Sequence, residues 1–189
     1  LILFDLARSN EPIWDTPLVS AHGVVWDENR QRLWTLGLKD LRSYELKDWE
    51  SQTPSLGLTA SYVLPGGDGH DLQAVPHSND LVVTTGPHVY LFDRDKHEFR
   101  LHPDLGNKAN VKCVSIHPVR GQTVFVHAAG KEWWTDTLGL LAPVGTIQMP
   151  GEHLYKARWL VPAPAKGDGA TDAAPKPLFR FVQVNDLHV

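Results

Sequence analysis

Gly69-His70-Asp71-Leu72-Gln73-Ala74, Asp80-Leu81-Val82-Val83-Thr84-Thr85, His88-Val89-Tyr90-Leu91-Phe92-Asp93 and Glu98-Phe99-Arg100-Leu101 follow one another with only short breaks between them. Each run is short and rich in β-branched or aromatic residues, and is bounded by Gly, Pro, Asn or Asp. Gly86-Pro87 makes the turn between the second run and the third. The stretch therefore reads as four consecutive strands, one sheet's worth of chain.

The same order recurs on both sides of it. Ala21-His22-Gly23-Val24-Val25-Trp26, Val111-Lys112-Cys113-Val114-Ser115-Ile116 and Tyr155-Lys156-Ala157-Arg158-Trp159-Leu160 align with the first run. Their second residues are His22, His70, Lys112 and Lys156, spaced 48, 42 and 44 residues apart. That period belongs to a propeller blade of four strands. In the first repeat, residues 33–36, 41–46 and 60–64 complete the set. In the third, residues 122–127, 132–136 and 145–149 do so. No sustained helical periodicity occurs, although residues 46–52 could form one turn.

The chain starts inside a repeat. Leu1-Ile2-Leu3-Phe4-Asp5-Leu6 matches a third strand and Pro12-Ile13-Trp14-Asp15 a fourth. At the far end, residues 156–161 match a first strand and residues 178–184 a second. Half a blade, three blades and half a blade make about four. Two architectures follow for this single domain of residues 1–189: a closed four-bladed ring sealed by pairing of the two halves, or part of a larger six- to seven-bladed ring. Residues 163–177 hold no large apolar side chain and read as a flexible surface loop. Beginning at Leu1 within a strand, the chain is expected to be a processed or truncated piece, with no signal peptide in this sequence.

Composition narrows the class. The 189 residues are 42% hydrophobic and 21% charged, the range of an ordinary globular chain. No apolar run is long enough for a transmembrane helix. The formal charge is -4, with 10 His uncounted and no basic stripe, which argues against nucleic acid as a partner. Cys113 is the only cysteine, so no internal disulfide can form.

First strands line the channel of a propeller, so equivalent positions converge there. His22, His70, Lys112 and Lys156 thus become candidate catalytic residues, and Asp71 and Arg158 candidate ligand-binding residues. Four ionisable groups at equivalent places exceed what packing needs, since unpaired buried charge is costly. One reading is a polar axial site for an oligosaccharide or other small anionic or hydroxyl-rich ligand. The other is a solvated channel whose groups pair with one another and with water. His22, His70 and Asp71 are candidate ligands for a divalent metal (Mn, Zn or Ca), although the nearby lysines would repel it. A uronic-acid lyase needs a base and a cation to stabilise enolate-like charge. His22 or His70 could be the base, and Lys112, Lys156 or Arg158 the cation. A glycosidase needs two carboxylates, and Asp71 is the only axial one.

Other residues read more simply. His117, before Pro118, belongs at the exit of its strand. Pro65-Gly66-Gly67-Asp68-Gly69 is a turn between blades. Cys113 is core. Trp26, Trp34 and Trp159 are expected between blades. Of Trp133-Trp134, which could stack on sugar, at least one is expected to pack. Residues 93–96 read as a turn.

The ordered set Ala21-His22-Gly23-Val24-Val25-Trp26-Asp27, Gly69-His70-Asp71-Leu72, His88-Val89-Tyr90-Leu91-Phe92-Asp93, Lys112-Cys113-Val114-Ser115, Trp133-Trp134-Thr135-Asp136 and Tyr155-Lys156-Ala157-Arg158-Trp159 resembles a family of bacterial β-propellers described as a domain of unknown function. Its members are often exported, and many come from carbohydrate-degrading bacteria. The resemblance runs from residue 1 to about 162 and looks like the C-terminal portion of a member. It implies a larger ring and a periplasmic or extracellular location, and it brings no activity. Oligogalacturonate-lyase-type propellers, with a metal and an acidic sugar at the ring centre, are similar in architecture only. Two functions follow as expectations. One is a carbohydrate-active or carbohydrate-binding propeller, such as a lyase or hydrolase acting on acidic oligosaccharides. The alternative is a non-catalytic protein-interaction scaffold, with missing blades or a partner chain completing it.

Overall fold

The computed structural model describes residues 1–128 and 130–159, and the backbone of 182–183. In chain order the strands are β1 (Ile2–Asp5), β2 (Arg8–Asp15), β3 (Gly23–Asp27), β4 (Arg32–Leu36), β5 (Asp40–Lys47), β6 (Ser55–Val63), β7 (Gly69–Ala74) and β8 (Asp80–Thr85). They continue as β9 (Val89–Asp93), β10 (Glu98–Leu101), β11 (Val111–Ile116), β12 (Thr123–His127), β13 (Thr137–Leu141), β14 (Gly145–Gln148) and β15 (Val182–Gln183). Among the described residues there is no helix: residues 46 and 47 end β5, and the stretch after them is a turn closed by Ser51 N–H to the Asp48 carbonyl.

The strands make three four-stranded antiparallel meanders, β3–β6, β7–β10 and β11–β14, and a three-stranded sheet of order β15-β1-β2. Each meander is one repeat, innermost strand first. The architecture is that of a β-propeller. Its core lies between successive sheets. Leu1, Leu33, Tyr44 and Leu56 join the three-stranded sheet to the first meander. Trp34, Leu36, Leu41, Leu72, Leu81 and Phe92 join the first meander to the second. Val82, Val89, Leu105, Val111 and Val114 join the second to the third. Inner strands come very close: a Cβ on Gly23 would lie 2.5 Å from the Leu72 Cβ, so β3 and β7 can meet here only because residue 23 has no side chain.

Three expectations change. The third strand of the third repeat is β13, not residues 132–136. Leu138 and Leu140 pair with Val126 and Val124 of β12, while the missing side chain of Gly139 leaves room for the Phe125 ring. The segment around Trp133 is pushed out as a loop. Residues 156–159 do not form a strand; they run beside β11, with Ala157 N–H on Cys113 Sγ at 3.1 Å and Trp159 N–H on Ser115 Oγ at 3.2 Å. Side chains of β11, rather than its backbone, take those donors. Trp26 is not core: its indole donates to Glu28 and it is 36% exposed. Trp34 is buried between blades as expected.

β15 pairs with β1 through Ile2↔Gln183 and Leu3↔Val182, the join between the two half-blades. The three-stranded sheet nevertheless has no inner strand among the described residues, so they do not close a ring. Residues 163–177, expected as a loop, lie outside the described residues.

Candidate functional site at the axial ends of the inner strands

The register of each inner pair fixes which face the candidate residues occupy. Gly69↔Thr85 and Val111↔His127 place the first residues of β7 and β11 beside the last residues of β8 and β12. His70 and Lys112 therefore sit at the face that carries the β6–β7 turn and the β12–β13 loop. His22 precedes β3 at the same level, and its ring meets the His70 ring edge-on with centroids 5.7 Å apart. Lys156 reaches into the group from the fourth repeat.

The four equivalent residues do converge, and they converge on each other. Lys156 Nζ donates to the His22 carbonyl at 3.1 Å, the His70 carbonyl at 2.8 Å and Asp71 Oδ1 at 3.0 Å. Those three acceptors use all three of its N–H groups. Arg158 donates to the same Asp71 oxygen and to the Ala157 carbonyl. Asp71 Oδ2 takes the Val114 N–H at 3.3 Å, which ties β7 to β11. Asp71 is buried, at 2% exposure, so the two cations are its compensation.

The second pairing is Lys112 with His70. Lys112 Nζ stands 3.0 Å from His70 Nε2, and Asp68 Oδ2 is 3.4 Å from the same nitrogen. An ammonium has no acceptor capacity, so Nε2 is the acceptor and the imidazole is neutral, with its proton on Nδ1. Burial and the adjacent Lys112 charge hold the His70 pKa down to about 4, against a smaller opposing pull from Asp68. Burial also lowers the pKa of Lys112. His70 Nδ1 is buried with no hydrogen-bond partner.

A divalent metal does not fit this arrangement. His70 Nε2 faces an ammonium, and both Asp71 oxygens are already engaged. Among the described residues no three His, Cys, Asp or Glu side chains come together as a ligand set. His22, His70 and Asp71 thus share a neighbourhood without sharing a coordination point.

His117 lies at the far end of β11, as expected, where its Nδ1 accepts from the backbone of Val119 and Arg120. Cys113 is fully buried, and burial raises its thiol pKa. Trp134 stacks on His153 at 3.5 Å, while Trp133 is 61% exposed with its ring edge-on to Tyr155 at 5.4 Å. One of the two tryptophans packs and the other stands out.

A second polar cluster escaped the sequence reading. Arg94, in the turn at residues 93–96, is buried and donates to Asp27 Oδ2 at 2.7 Å and to the carbonyls of Ser78 and Asn79. Arg30 bonds Asp27, Asn79 and Asp95. Burial would raise the Asp27 pKa, but the Arg30 backbone N–H and the guanidiniums of Arg94 and Arg30 hold it below the usual value. The cluster bridges two blades on the face opposite the axial group. Its signal was an Arg in a turn otherwise made of solvated Asp and Lys, which sequence alone does not separate from a surface charge.

No protein-family model matches the chain, and no curated protein matches it either. Solved structures do. Hsv2 of Kluyveromyces marxianus is similar over 70% of this chain and 38% of its own, at 12% identity and TM-score 0.40. The N-terminal domain of Nup159 is similar over 70% of this chain and 34% of its own, at 15% identity and TM-score 0.44. Hsv2 of Kluyveromyces lactis is similar over 71% and 37%, at 13% identity and TM-score 0.39. The chain thus spans between a third and two fifths of the length of these structures.

Proposed function

We propose that this chain is a non-catalytic interaction propeller, a scaffold whose exposed faces take protein partners. The observation that carries the reading is the mutual pairing of the axial groups. Lys156 spends all its donors on the protein, Asp71 is covered by two cations, and His70 accepts from Lys112. A lyase or hydrolase would need an ionisable group left open towards a substrate and tuned to neutral pH. His70 is held far from its ordinary pKa on the wrong side, near 4. Carbohydrate processing by His22, His70, Lys112 and Lys156 is therefore the less supported reading.

The test is incubation of the chain with oligogalacturonides and neutral oligosaccharides, with and without added Mn²⁺, Zn²⁺ or Ca²⁺. The expected result is no unsaturated product and no new reducing ends. Turnover lost on His70→Ala or Lys112→Ala, in variants that still fold, would overturn the proposal.

A further inference from the structure

The connections after β10 and after β11 use one local pattern twice. His102-Pro103-Asp104-Leu105-Gly106 and His117-Pro118-Val119-Arg120-Gly121 share His-Pro and a glycine at the same places. They fold alike. His102 Nδ1 accepts the N–H groups of Asp104 and Leu105, both at 3.2 Å, and the Gly106 N–H returns to the His102 carbonyl at 2.8 Å. His117 Nδ1 accepts from Val119 and Arg120, both at 3.2 Å, and the Gly121 N–H returns to the His117 carbonyl at 2.9 Å. An imidazole that takes N–H groups on Nδ1 is neutral there, with its proton on Nε2.

The two turns differ in what they carry. The second holds Val119 and Arg120 in solvent, whereas the first holds His102 and Leu105 inside. Leu105 is 1% exposed and fills the seam between the second and third meanders with Val82, Val89, Val111 and Val114. Its N–H is one of the two donors to His102, so the turn and the apolar plug are one structure. Two more histidines hold the same loop, both as donors. His88 Nδ1 donates to the Gly106 carbonyl at 2.9 Å, and the His127 ring donates to the Ala109 carbonyl. A ring nitrogen that donates keeps its bond when the imidazole is protonated, and one that accepts loses it. Acid therefore acts on this loop through His102.

The titratable and charged groups around the loop are Asp104 and Lys108 within it, His88 before β9, Arg100 of β10, which Asp80 pairs, and His127 at the end of β12. Burial lowers the His102 pKa from its ordinary 6.5, against a weaker upward pull from Asp104. The closed turn is thus favoured in full above about pH 6.5 and loses that advantage as pH falls below it. The loop also borders a cavity of about 450 Å³, shared with His127, which leaves it room to move.

We propose that residues 102–110 form an acid-released latch: the closed turn requires a neutral His102, and a proton on its Nδ1 frees the loop and withdraws Leu105 from the seam between the meanders. The latch goes beyond the interaction reading and does not depend on it.

The experiment is amide hydrogen exchange by NMR on the full chain, read as protection factors. Between about pH 7.5 and about pH 5.5 the Leu105 amide should lose protection roughly five- to tenfold, since the open loop binds a proton that the closed one refuses. In His102→Asn the side-chain oxygen can accept the same two N–H groups and does not titrate, so the Leu105 protection factor should stay level. His117→Asn should leave the wild-type fall unchanged. A level wild-type protection factor overturns the inference. An equal fall in His102→Asn also overturns it, because the acid effect then lies at another group. The ring nitrogen shifts of the wild type give a check that needs no variant: near neutral pH they should place the His102 proton on Nε2, and a proton on Nδ1 overturns the latch.

Discussion

At His70 geometry and charge environment point the same way. The ring accepts from Lys112, and it resists protonation down to about pH 4. The unfolded chain titrates this residue near 6.5, so between 6.5 and about 4 the unfolded state binds the proton that the native state refuses. The His70 contribution to stability is complete above pH 6.5 and is lost as pH falls towards 4. Other groups titrate in that window, so the decisive comparison is with His70→Gln. Urea unfolding at a series of pH values should show the wild type losing more stability than His70→Gln between pH 6.5 and 4. Parallel curves would mean that His70 is not held neutral by its neighbours. Trp133 is the contrasting residue. With its ring largely in solvent, Trp133→Ala should change unfolding free energy by about 0.5 kcal/mol or less, and a loss of several kcal/mol would place it in the core.

Between elements, the tie that matters most outside the axis is Asp27 with Arg94. It joins the end of β3 to the β9–β10 turn, and Arg30 extends it to Asn79 and Asp95. Asp27→Ala leaves the buried Arg94 guanidinium without its carboxylate, a loss of about 3 kcal/mol. Arg94→Met removes the charge with the tie and should cost less. Chemical denaturation of both variants checks this, and equal small losses would show that the pair adds nothing. Because the Asp27 pKa is depressed, its contribution is present above the ordinary carboxylate value and disappears as pH falls below it.

For the whole molecule, the repeat was legible because short, largely buried runs of β-branched and apolar residues recur in the inner strands at a regular spacing. Residues 69–74, 80–85 and 98–101 are strands with the expected bounds. The third repeat misled where its chemistry departs from the period. The aromatic Trp133-Trp134 run looks more strand-like than Thr137-Leu138-Gly139-Leu140-Leu141, yet the ladder runs through Leu138 and Leu140, which pair with Val126 and Val124 of β12. The axial candidates were found from equivalence alone, and His22, His70, Lys112 and Lys156 do meet. That they pair with one another was one of the two readings open from sequence; which groups pair was not legible, because it depends on how far Lys156 reaches across the inner strands. The metal set failed for the same reason, since adjacency of Asp71 to His70 does not disclose that lysine and arginine already occupy its oxygens.

The central claim is that the axial ionisable groups stabilise one another instead of waiting for a substrate. A double-mutant cycle on Asp71→Asn and Lys156→Met, read by urea unfolding, tests it most directly. The account predicts a favourable coupling of about 1–3 kcal/mol between the two residues. Additivity to within about 0.5 kcal/mol would contradict it and return the axial cluster to the search for chemistry.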